Sequence, residues 1–189
     1  AARVGLLGHS QGGYLAPRVA VERGDVAFVV LMAGPAVDGF AVLRLQNELL
    51  IERTLQGQGA PQATIDAAVA DQLAFLDALR PLLAAGDDEG AAALVRERVE
   101  TELAALPEAQ RPSPAQVEEI LAAQVEGTVA PAFRAFLAFD PQPWLRQLTI
   151  PTFAFFGDLD FQVPPEQSVG PMREALAAAG NPDATVTTF

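Results

Sequence analysis

The sequence predicts an α/β fold: a parallel sheet whose strands are joined by helices and interrupted by a long, all-helical insertion. Three observations predict it. Short apolar runs rich in β-branched and aromatic residues stand near both ends of the chain. Helical periodicity follows the first run at once, giving a strand–helix–strand order that builds parallel sheets. Between the two groups, residues 37–147 are dominated by Ala, Leu and Glu and lose the β-branched runs.

Taken in order, residues 3–8 (RVGLLG) are short, apolar and closed by glycine, as expected of a buried parallel strand. Residues 11–23 place Leu15 with Val19 and Ala16 with Ala20 at helical spacing. Pro17 falls inside that helix, where it removes one backbone bond and should bend the axis. Residues 26–33 (VAFVVLMA) form a second buried strand, ended by Gly34-Pro35. In the insertion, Ile65, Val69, Leu73 and Leu76 mark one helical stripe and Val117, Leu121 and Val125 another. Gly and Pro break the helices near 57–61, 86–90, 107–114 and 127–131. Residues 150–156 (IPTFAFF) return to strand composition, 165–179 are helical and 184–189 (ATVTTF) read as a last strand. The expected organisation is a core over 1–35, a helical segment over 36–147 and a return to the core over 148–189.

The chain has 189 residues, half of them apolar and 19% charged, enough for a real hydrophobic core. Its net charge of −12 repels phosphate backbones and anionic lipid, which argues against nucleic-acid and membrane-surface partners. The longest apolar run, 26–33, is far short of the roughly 20 residues that cross a bilayer. There is no cysteine, which removes disulfides, thiolate metal sites and cysteine nucleophiles and fits reducing and oxidising compartments alike. With one histidine and no cysteine, no metal-ligand spacing exists, so no metal is expected. The chain begins at Ala1 and moves directly into a strand, so residues 1–189 read as an excerpt of a longer protein.

The chemistry is concentrated in two motifs. Gly8-His9-Ser10-Gln11-Gly12 is G-x-S-x-G where a strand runs into a helix. A serine on so tight a turn adopts a strained backbone and stands exposed above the sheet edge, as a nucleophile requires. Gly8 and Gly12, two residues to either side, are expected to be small so that strand and helix can approach. The helix starting at Gln11 aims its free N–H groups at a developing oxyanion, with the Gln11 amide as one donor. Neither phosphate-loop spacing, G-x-G-x-x-G nor G-x-x-x-x-G-K-[ST], can be aligned here.

The second motif is residues 157–164, Gly-Asp-Leu-Asp-Phe-Gln-Val-Pro, directly after the strand ending at Phe156. A carboxylate at the carboxyl end of a parallel strand lies where sites form. Asp160 is the candidate orienting acid; Asp158 is the alternative, with a loop-capping role the better fit for it. The one histidine, His9, adjoins Ser10 on a sharp turn and points elsewhere, so it is expected to pack beneath the turn, hydrogen-bonded and partly buried. The general base is expected in the loop after the last strand, beyond Phe189, and without it the 189 residues should be nearly inert. Phe133, Phe136, Leu137, Phe139 and Trp144 either line an acyl pocket or pack the helical block on the sheet, packing being the commoner use.

GLLGHSQGG, the MAGPAV that follows the second strand, and FFGDLDFQVPPEQ together resemble bacterial carboxylesterases of the α/β-hydrolase superfamily, in the branch with an inserted helical cap. LRLQNELL resembles the opening of that cap and FDPQPWLRQLTIP the return to the sheet. The resemblance covers essentially the whole chain. It implies part of an α/β-hydrolase fold with Ser10 as nucleophile, Gln11 as oxyanion donor and Asp160 as triad acid. Members often carry Glu where Gln11 stands; that position acts through its backbone, so the mechanism survives the departure. The implied activity is hydrolysis of a small-molecule carboxylic ester through an acyl-enzyme, with no cofactor. A peptidase, thioesterase or acyltransferase would use the same triad, and a binding module could keep the fold without chemistry.

Overall fold

The computed structural model describes residues 4–189; Arg3, with which the first predicted strand begins, lies outside them. The element order is β1 (Gly5–His9), α1 (Gln11–Arg23), β2 (Phe28–Met32), α2 (Gly39–Gly57), α3 (Gln62–Ala85), α4 (Asp88–Ala105), a 3₁₀ turn (Glu108–Gln110), α5 (Pro114–Val129), α6 (Pro131–Ala138), α7 (Gln142–Leu145), β3 (Thr152–Phe156), α8 (Pro165–Ala178) and β4 (Ala184–Thr188). The four strands form one sheet in the order β1-β2-β3-β4, and every pairing is parallel. The chain is thus an α/β fold with a helical block inserted between β2 and β3.

Local chemistry sets the helix boundaries. Asp38 and Asp87 open α2 and α4 by accepting the amides of Ala41 and Gly90. Ser113 and Gln116 make a reciprocal capping box at the start of α5, with Pro114 as its first residue. Gly86 ends α3 at φ 72°, a left-handed conformation that glycine takes without steric cost. Through α1 the helix runs unbroken across Pro17, which is buried and lacks only its own N–H.

Two cores result. The first joins the sheet to α1, α7 and α8: Ala16 and Ala20, Val29 and Leu31, Leu145 and Leu148, Ala154 and Phe156, and Met172, Ala175 and Leu176. Leu31 and Leu145 are wholly buried there, each contributing about 1.5–3 kcal/mol by leaving water. The second lies inside the helical block, where Leu79 and Leu83 of α3 meet Ala91 and Val95 of α4, with Phe133 and Leu137 of α6 packed alongside.

The helices α1, α7 and α8 gather on one face of the sheet, the face of Val29, Leu31, Ala154 and Phe156. Alternation along the strands sends Leu7, Phe28 and Phe153 to the other face, where they are 67%, 44% and 38% exposed. Among the described residues, no helix is long and apolar enough to cross a membrane.

Candidate active site

Ser10 lies between the last residue of β1 and the first of α1, as the N-cap of that helix. Its backbone is at φ 52° and ψ −117°, a region that L-residues rarely occupy. Such a conformation costs on the order of 1–3 kcal/mol and persists only where surrounding contacts impose it. Two bonds impose it here: the Ser10 amide donates to the Met32 carbonyl at 2.9 Å, and the Ser10 carbonyl accepts the Gly13 amide at 2.8 Å. A serine that merely begins a helix turns its oxygen back onto the second or third amide. Ser10 makes no such side-chain cap. Its hydroxyl is left for other work, at the positive end of a helix of 13 residues. Among the described residues the Gln11 amide has no acceptor, as the first N–H of a helix should not.

The turn is tight for a reason the structure makes specific. A Cβ built on Gly8 would stand 2.5 Å from the Gly12 carbonyl carbon and 2.9 Å from the Gly13 nitrogen, with the Gly12 oxygen closer still. On Gly13 it would collide with the Cα of Gly34, at the end of β2. On Gly12 it would meet nothing within 4 Å. The expectation that Gly12 must be small for strand and helix to approach is therefore corrected. Gly8 carries the constraint from the strand side, and Gly13 carries it from the helix side. Gly12 and Gly13 both follow the serine in the sequence, and only three-dimensional approach to Gly34 distinguishes them.

Asp160 sits half-buried in the loop that leaves β3, three residues before buried Val163. Its Oδ1 accepts the amides of Gln162 at 2.8 Å and Val163 at 3.1 Å. Among the described residues Oδ2 accepts no hydrogen bond. One oxygen thus fixes the loop while the other stays available. The loop-capping role expected of Asp158 belongs to Asp160. Asp158 is exposed, and only its backbone amide is engaged, with the Phe189 carbonyl at 2.8 Å.

Because β1, β2 and β3 are parallel and adjacent, Ser10 and Asp160 leave the same edge of the sheet with β2 between them. Two strand spacings place those strand ends about 10 Å apart. The backbone of Phe189 pairs with Phe156 and Asp158, so the end of β4 lies beside the Asp160 loop.

His9 departs from expectation. It is exposed at the end of β1 and makes no side-chain hydrogen bond among the described residues. The cause is strand alternation: His9 shares a face with Leu7, while α1, α7 and α8 pack on the opposite face. Beneath the turn stands Tyr14, 1% exposed, which donates to the Val37 carbonyl at 2.7 Å. Burial above all, with the carboxylates of Asp38 and Asp140 adding to it, pushes the Tyr14 phenol well up and keeps it neutral.

The rings of Phe139 and Phe136 lie 5.2 Å and 6.0 Å from that of Tyr14, while Arg18 stacks on Trp144. With Phe133 and Leu137 in the second core, this aromatic crowd packs the helical block onto α1 and onto itself. A cavity of about 660 Å³ opens between α2, α3 and α6, lined by Asp38, Phe40, Arg80, Arg134 and Asp140 among others. Neither Ser10 nor Asp160 lines it. Among the described residues no three His, Asp or Glu side chains are grouped to hold a metal ion.

No protein-family model matches the chain, and no curated protein matches it. Among solved structures it is similar to an α/β-fold family hydrolase from Bacillus anthracis str. Sterne, at 19% identity and a TM-score of 0.45, covering 99% of this chain and 59% of that one. It is also similar to a thermophilic esterase from Thermogutta terrifontis (19% identity, TM-score 0.42, 99% and 56% covered). A third likeness is to a meta-cleavage product hydrolase from Pseudomonas fluorescens IP01 (14% identity, TM-score 0.43, 99% and 56% covered). The chain spans less than three-fifths of the length of these structures. Likenesses this distant carry no argument about chemistry, which rests on the site itself.

Proposed function

We propose that this chain is part of a serine hydrolase that cleaves small carboxylic esters through an acyl-enzyme at Ser10. The observation that carries the reading is the backbone of Ser10. A serine held at φ 52° at a helix start, yet not capping that helix, stores strain that an ordinary turn would avoid.

In this reading Ser10 Oγ attacks the ester carbonyl carbon while its proton passes to an imidazole supplied from outside residues 1–189. The Gln11 amide donates to the carbonyl oxygen as it becomes an oxyanion. Collapse of the tetrahedral adduct breaks the bond to the alcohol, which leaves with the proton from the imidazole. Water then attacks the acyl group by the same route and restores Ser10. Asp160, through its uncommitted Oδ2, accepts the other ring N–H and keeps the imidazole in one tautomer. The gap of about 10 Å between the ends of β1 and β3 suits a ring with a hydrogen bond on either side. The helical block, residues 36–147, serves as a cap over this edge.

The test is hydrolysis of a short-chain p-nitrophenyl ester by the full-length protein beside its Ser10→Ala variant. Loss of on the order of a thousandfold or more in the variant supports the reading. Equal rates would remove Ser10 from the chemistry and the reading with it.

A further inference from the structure

We propose that α2, the first helix of the inserted block, holds the loop carrying Asp160 and so sets the orientation of that carboxylate, with Gln46 and Arg53 as positioning residues. The proposal deepens the hydrolase reading and rests on Asp160 being its triad acid.

Gln46 and Arg53 are seven residues apart, two turns along the same side of α2. Gln46 donates its Nε2–H to the carbonyl of Gln162, and the Arg53 guanidinium lies 4.8 Å from the centre of the Phe161 ring. These are the two residues that directly follow Asp160. The contact is returned from the other side, where Gln167 at the start of α8 donates to the Ala41 carbonyl of α2 at 3.0 Å. Two of these contacts reach from α2 into the loop, and the third reaches from α8 back to α2.

The grip acts on the groups that hold the carboxylate. Asp160 Oδ1 is fixed by the amides of Gln162 and Val163. Gln46 fixes the carbonyl of that same Gln162. Val163, 2% exposed, anchors the far end of the loop in the first core. With one end anchored and the middle held, the Asp160 side chain is left a single orientation. A movement of α2 relative to the sheet reaches the carboxylate through one residue, so the position of the helical block and the alignment of the acid are coupled.

The experiment uses the full-length protein, with a Gln46→Ala/Arg53→Ala double variant and two milder changes. Gln46→Glu keeps the side chain's size and replaces the donor by an acceptor; Arg53→Lys keeps a cation over the Phe161 ring. Residue-resolved amide exchange is read at Gln162 and Val163, with Leu31 in β2 as the internal control. A hydrogen bond and an exposed cation–π contact together suppress opening about tenfold. Exchange at Gln162 and Val163 should therefore rise by about that factor in the double variant, with Leu31 unchanged. Gln46→Glu should reproduce part of the rise, and Arg53→Lys should restore part of the protection.

In ester turnover the double variant should lose kcat several-fold at unchanged KM. Unaltered exchange at Gln162 and Val163 overturns the proposal. So does a raised KM at constant kcat, which would make these side chains substrate contacts. If the full-length protein shows no Ser10-dependent hydrolysis, the hydrolase reading fails, and the exchange measurement still decides whether α2 holds the loop.

Discussion

Replacing Gly8 and Gly12 separately by alanine separates a motif rule from the geometry beneath it. The five-residue pattern treats the two glycines as equivalent. The structure does not. At Gly8 the new methyl would stand 2.5 Å from the Gly12 carbonyl carbon, against the roughly 3.5 Å of a normal carbon contact, so about 1 Å must be found. The obstructing atoms are main chain, in the turn pinned by the Ser10–Met32 and Gly13–Ser10 bonds. No rotamer change relieves them. Overpacking of this kind costs about 1–3 kcal/mol, and breaking one of the pinning bonds adds about 1 kcal/mol. Gly8→Ala should therefore lose about 2–4 kcal/mol, a large share of the 5–15 kcal/mol that holds a typical domain folded. At Gly12 the methyl meets open space inside a helix, so the change should lie between neutral and a gain of about 0.5–1 kcal/mol. The assay is denaturant unfolding of the full-length protein, comparing midpoints at constant m. Equal losses for the two variants, or a neutral Gly8→Ala, would refute the reasoning.

Other perturbations test neighbouring parts of the site. Ser10→Gly should be about 1 kcal/mol more stable than Ser10→Ala, because glycine takes the conformation at φ 52° without strain; thermal unfolding of both variants checks this. Asp160→Asn should keep its stability, measured the same way, since the amide oxygen still accepts the Gln162 and Val163 amides. On the proposed mechanism the same variant should lose a hundredfold or more in ester turnover, because an amide in place of the carboxylate would not hold the imidazole in one tautomer. Tyr14→Phe should cost about 1–2 kcal/mol by orphaning the half-buried Val37 carbonyl. Tyr14 also has a pH signature. Its folded pKa is raised above the ordinary 10.0, so above that pH the unfolded chain loses the proton first and stability falls as pH rises. Denaturation midpoints above pH 10 should fall less steeply in Tyr14→Phe than in the parent.

The parts of this structure that the sequence discloses are those that depend on neighbours within a few residues. The change from β-branched runs to Ala, Leu and Glu marks the inserted helices, and the Gly and Pro clusters fall at the joints between α2, α3, α4, α5 and α6. G-x-S-x-G is legible for the same reason, since strand, turn and helix are consecutive. What stays hidden depends on approach between distant segments. Gly12 and Gly13 look alike until Gly34, more than twenty residues on, is brought against one of them. His9 reads as a packed residue until the faces of the sheet are assigned, because alternation fixes its side but not what covers that side. Gln46 and Gln162 are separated by 116 positions, and an ordinary helical glutamine carries no mark of the carbonyl it will meet. Yet such contacts decide whether a motif is a site. A serine and an aspartate can each be found by pattern, but alignment of the pair depends on the sheet that sets their strands two apart and on the helix that holds the second loop. The strain at Ser10 and the grip on Asp160 are imposed by different parts of the chain. A substitution that relaxes one should leave the other intact, whereas displacing β2, which lies between the two strands, should disturb both.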